Sequence, residues 1–180
     1  MFTQIISRTP PWVFALLAIL LALGAAQLRQ RTASLTRVTA LPVGMLLWAV
    51  TGVGLTFGTG SGKNGLLALA LAMWATGAAG TALWVLARPP ADDGTRYDAT
   101  RQQFTLPGSA VPLLLILGIF ATKYAVGVTL GLHPALVGQP VFAAGVSGLY
   151  GVFSGVFVGR GLRLWRLAQH SKALPAQQAA

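Results

Sequence analysis

The chain has 180 residues, 54% hydrophobic and only 9% charged, with a formal net charge of +10 and no cysteine. A soluble domain carries about 25% charged residues because its surface faces water, so a chain with a mean hydropathy of +0.68 is excluded from that class. Missing cysteine excludes disulfides and thiolate metal sites, and the basic residues lie between apolar runs rather than on one polar patch, which argues against a nucleic-acid partner.

A hydrocarbon layer of about 30 Å takes about 20 apolar residues of helix to cross. Five runs fit: Pro10–Leu28, Leu41–Gly58, Gly65–Ala87, Ala110–Leu132 and Pro140–Leu162. Prolines near the starts of the first, second and fifth suit a first turn, where a missing N–H costs nothing. Trp12 sits where an interfacial aromatic belongs. The expected fold is an all-α membrane protein, a single five-helix transmembrane domain over residues 1–170 followed by a disordered tail at 171–180. The first run could also be a signal peptide ending at Gly24-Ala25-Ala26, but its double proline and the arginines soon after it fit a retained helix better.

Between the third and fourth helices, Thr95–Leu106 has short strand-like arms around a turn at Asp98–Arg101, and Pro107-Gly108-Ser109 turns the chain into the next helix. A small cytoplasmic β-hairpin is one reading and an irregular loop the other. Arg37–Pro42 and Arg101–Pro107 lead into helices two and four in similar ways. That similarity fits shared boundary chemistry better than an internal repeat.

Orientation follows from the positive charges. Arg29, Arg31, Arg37, Arg88, Arg96, Arg101, Arg160, Arg163, Arg166 and Lys172 fall on one side of the layer, and Arg8 and Lys63 on the other. Basic residues concentrate on the cytoplasmic side, so the N-terminus is expected outside (the periplasm, if the source is a Gram-negative bacterium) and the C-terminus in the cytoplasm.

Groups able to carry chemistry are few. The three carboxylates, Asp92, Asp93 and Asp98, share one polar stretch, and His133 and His170 lack ligand spacing. No metal, cofactor or catalytic set is expected, and the chain reads as non-enzymatic; a membrane enzyme with a Ser/Lys or Tyr/Lys site is the least favoured alternative, since nothing in the sequence selects such a pair. Gly58-Thr59-Gly60-Ser61-Gly62-Lys63-Asn64 resembles a phosphate loop but lacks the first glycine and the final hydroxyl of that motif. It reads as a turn.

Ala143, Ser147, Gly151, Gly155 and Gly159 recur every four residues on the fifth helix, and Gly127 and Gly131 repeat the step on the fourth. Small residues let helix backbones approach closely in lipid. Packing within one subunit and a homo-oligomer or membrane-protein interface both remain open. Lys123 lies well inside the fourth helix, about 18 Å from Val111 and about 13 Å from Leu132 along the axis. Intramembrane lysines are costly and often functional. Carbonyl capping or snorkelling is one reading, and a permease or binder of an anionic solute or lipid is another, with Tyr124, Ser147, Tyr150 and Ser154 as neighbours. Arg160, Arg163 and Arg166 continue the fifth helix into the expected cytoplasmic interface, where they would meet anionic lipid headgroups.

Several stretches carry a resemblance along nearly the whole chain. They are Met1–Ile6 with Thr9-Pro10-Pro11-Trp12, Leu106–Ser109, Ile119–Tyr124, and Leu149–Gly155 with Arg160. The chain resembles small proteobacterial inner-membrane proteins known only as a domain of unknown function, and more faintly CcdC-type membrane proteins. The first resemblance implies membrane location and five-helix organisation, and no activity.

Overall fold

A computed structural model describes residues 9–58, 64–88, 94–98 and 101–178. Residues 59–63, where a glycine-rich turn is expected, the pair Asp92 and Asp93, and residues 99–100 of the expected hairpin turn lie outside them. Among the described residues the order is α1 (Pro11–Ala26), β1 (Arg31–Ser34), α2 (Leu35–Phe57), α3 (Asn64–Ala87), β2 (Arg96–Asp98), β3 (Gln103–Leu106), α4 (Val111–Leu132), a 3₁₀ turn (Pro134–Gly138) and α5 (Pro140–Gln178). The fold is mostly helical with one small sheet. α3, α4 and α5 are long and apolar enough to cross a membrane, while Pro11–Ala26 and Val43–Phe57 are shorter apolar stretches.

Proline and glycine account for several boundaries. Pro11 occupies the first turn of α1 and a proline likewise opens α4, positions where no helical donor is lost. α1 ends before the expected Leu28. Gln27 and Leu28 donate to the carbonyls of Gly24 and Ala25, both at 3.0 Å, and this three-residue spacing tightens and closes the last turn. α2 starts earlier than expected, directly after Ser34, a residue type favoured just before a helix. Pro42 therefore sits inside α2 rather than near its start, and it cannot donate to the Val38 carbonyl. α5 continues beyond Leu162 and through most of the segment expected as a disordered tail. Leu, Arg, Ala and Gln dominate that continuation and are all strong helix formers.

Read from the sequence as one domain, the chain groups into two compact units. The first joins the chain up to Arg31 with Pro107–Pro134, and so contains α1 and α4. Near the end of α1, Gly24 is buried and packs against Leu113 near the start of α4. Before the start of α1, Thr9 Oγ1 and Tyr124 Oη, late in α4, are 2.6 Å apart in a hydrogen bond. The two helices are therefore antiparallel. Ser109 N donates to the Gln27 carbonyl at 3.0 Å, and a Cβ on Gly108 would overlap the Leu28 carbonyl. Glycine in Pro107-Gly108-Ser109 is thus required by close backbone approach.

The second unit comprises Thr32–Leu106 and the chain from Ala135 onward, with α2, α3, α5 and the sheet. Val53 and Phe57 of α2, Ala70 of α3 and Ala143 of α5 form its buried centre, with Leu66, Trp74, Val146 and Tyr150 packed around them. α3 and α5 run parallel: Gly151 meets Trp74, Gly155 meets Ala78 and Thr81, and Gly159 meets Ala82 and Val85. The sheet has the order β1-β3-β2. β2 and β3 are antiparallel, with Arg96 opposite Thr105, Tyr97 opposite Phe104 and Asp98 opposite Gln103. The Tyr97 and Phe104 rings pair across the strands with centroids 4.7 Å apart, and Phe104 is fully buried. Arg101 N donates to Asp98 Oδ1 at 3.1 Å, and Gln102 takes a left-handed φ of 51°. Together they turn the chain between the arms.

Candidate functional site

The polar groups singled out on α4 and α5 are distributed between the two units. Lys123 and Tyr124 belong to the first, and Ser147, Tyr150 and Ser154 to the second. On α4 the Lys123 side chain is exposed. Its neighbour Tyr124 spends its hydroxyl on Thr9 and stacks on Phe120, with centroids 6.3 Å apart and planes within 9°. Thr122 Oγ1 donates back to the Gly118 carbonyl at 2.8 Å. Around Lys123, then, the neighbouring hydroxyls serve helix and inter-helix bonds. Gly127 and Gly131 are exposed, and among the described residues no atom lies within 4 Å of where their Cβ would stand.

On α5 the small-residue row faces inward. Ala143 and Ser147 are fully buried, and Gly151, Gly155 and Gly159 are buried as well. A Cβ on Gly77 of α3 would come within 2.6 Å of the Gly148 carbonyl, and one on Gly159 within 2.8 Å of Val85 Cβ. Gly151 and Gly155 are tighter still, against the carbonyls of Trp74 and Ala78. Small residues let the two backbones approach closely enough for van der Waals contact to hold this seam.

Hydrogen bonds reinforce it. Trp74 Nε1 donates to Ser154 Oγ at 3.3 Å, and Ser154 Oγ donates to the Tyr150 carbonyl at 2.9 Å. The Ser147 hydroxyl is buried without a hydrogen-bond partner among the described residues, as is that of Tyr97 in β2. Ser147 lies between Ala143 and Gly151 on the packed row, and a small side chain there permits close approach whatever its polarity.

At the C-terminal end of α3, two arginines are held in place. Arg163 Nη2 donates to the carbonyls of Val85 and Arg88, the latter at 2.9 Å. The final carbonyls of a helix lack intrahelical donors and carry partial negative charge, so a guanidinium there completes the end. Arg88 in turn lies over the Trp84 ring, 3.6 Å from its centroid, within the range of a cation–π contact. Arg166 is exposed one turn beyond Arg163.

Three of these features are absent from the sequence reading. The spacing of Trp84 and Arg88 (one helical turn) was a usable signal, and so was Trp74, whose indole N–H needs an acceptor wherever it is buried. Thr9 as the partner of Tyr124 left no local trace. Neither curated proteins nor solved structures provide a match. The family of unknown function DUF6622 matches residues 1–177, nearly the whole chain, and the protein belongs to that family.

Proposed function

We propose that this protein is an integral, five-span component of a bacterial inner membrane, with a non-enzymatic accessory or structural role. The carrying observation is its inverted distribution of side chains. Large apolar groups such as Trp48, Leu47 and Val141 face outward while alanine, glycine and serine fill the α3–α5 seam. No residue of α4 is buried. Such a surface is favourable against hydrocarbon and costly against water.

Helix directions support five crossings. Successive spans alternate, so the first and fourth must oppose and the third and fifth must agree. α1 and α4 are antiparallel within their unit, and α3 and α5 are parallel within theirs. The 16 residues of α1 rise about 24 Å, short of the full layer. Local thinning of the bilayer accommodates such a span, and Trp12 and Arg29 flank it at the two interfaces. Carbonate washing of membranes tests the assignment. The protein should stay in the pellet, and release into the supernatant would refute it.

A second reading is supported by the exposed Lys123, which shares its face of α4 with the uncovered Gly127 and Gly131. There the lysine would hold an anionic solute or lipid. Lys123→Met should then abolish retention of that anion and leave folding intact; unchanged retention would leave the structural role alone.

A further inference from the structure

We propose that Arg88 and Arg163, at the C-terminal end of α3, form a fixed seat for the phosphate of an anionic lipid headgroup. The inference rests on the membrane assignment above and adds a specific partner to it. General attraction of arginines to a negative leaflet requires no geometry. Here the geometry is built. Both donations from Arg163 Nη2 go to protein carbonyls, which holds the guanidinium plane and leaves three N–H donors on Nε and Nη1 for an outside acceptor.

The side chain of Arg88 is positioned independently by the Trp84 ring, while its carbonyl receives Arg163. The two cations are thereby linked through one backbone group. Trp84 is 55% exposed, an amphipathic ring suited to the depth at which headgroups join acyl chains. Arginine forks match phosphate oxygens, and holding both side chains beforehand reduces the ordering cost of binding. The chain's charge of +10 against three carboxylates makes an anionic partner complementary. Acyl chains attached to that phosphate would then lie along the apolar outer faces of α3 and α5.

The full-length protein in phosphatidylcholine nanodiscs, titrated with fluorescent phosphatidylglycerol, tests the seat. Wild type should bind it well above labelled phosphatidylcholine. Arg88→Gln leaves the Arg163 contacts to the backbone in place and should weaken binding about fivefold, and the double change with Arg163→Gln roughly 20-fold. Arg29→Gln, a basic change in the other unit, should have little effect. Equal binding by wild type and the double variant, equal preference for the two lipids, or full displacement by millimolar inorganic phosphate would each overturn the proposal. Failure of the membrane assignment shows separately, as release of the protein by carbonate.

Discussion

Along α3 and α5 the backbones touch through a succession of glycines, whereas α1 and α4 meet closely near their two ends, at Gly24 with Leu113 and at Thr9 with Tyr124. Both pairs are apolar, and both expose several large side chains. They differ in what holds them together. The parallel pair relies on close backbone packing with a Trp74–Ser154 bond across it. The antiparallel pair relies on a hydroxyl bond at one end and on the Ser109 N–H donating to the Gln27 carbonyl at the other. Packing spread over several turns resists local change less gracefully, because any added atom collides with a carbonyl. A pair tied at its ends tolerates substitution between the ties.

The largest break is expected from Gly151→Leu. Its side chain would have to enter the space of the Trp74 carbonyl, a loss of about 3 kcal/mol or more, read as a lower unfolding temperature in detergent. Gly108→Ala should follow, at about 1–3 kcal/mol, because the Leu28 carbonyl occupies the position of the new methyl. Tyr124→Phe removes one inter-helix bond and should cost about 0.6 kcal/mol, the average for such bonds in a membrane protein. Gly127→Ala and Gly131→Ala, where the described chain leaves open space, should stay within about 0.5 kcal/mol of wild type. A loss comparable to Gly151→Leu at either position would mean that this face of α4 is covered.

Much of the helical frame was readable because long apolar runs bounded by proline, glycine and arginine constrain length more than partner. The hairpin was readable from the Thr95–Leu106 arms and the turn residues between them. β1 was not: Arg31-Thr32-Ala33-Ser34 has one β-branched residue and no alternation of apolar and polar positions, so its strand state depends on β3 beside it. The continuation of α5 was hidden by polarity, which reads as a tail although the same residues favour helix. At the candidate sites, Lys123 and the arginines could be named from composition. That Arg163 turns inward to α3 carbonyls follows only from the parallel course of α3 and α5, a tertiary fact.

Reporter fusions at Gly62, Asp93 and Gln139 test the five-span arrangement most directly. An externally active reporter should be active at Gly62 and Gln139, and a cytoplasmically active one at Asp93. The same side for all three positions, or Asp93 outside, would contradict it.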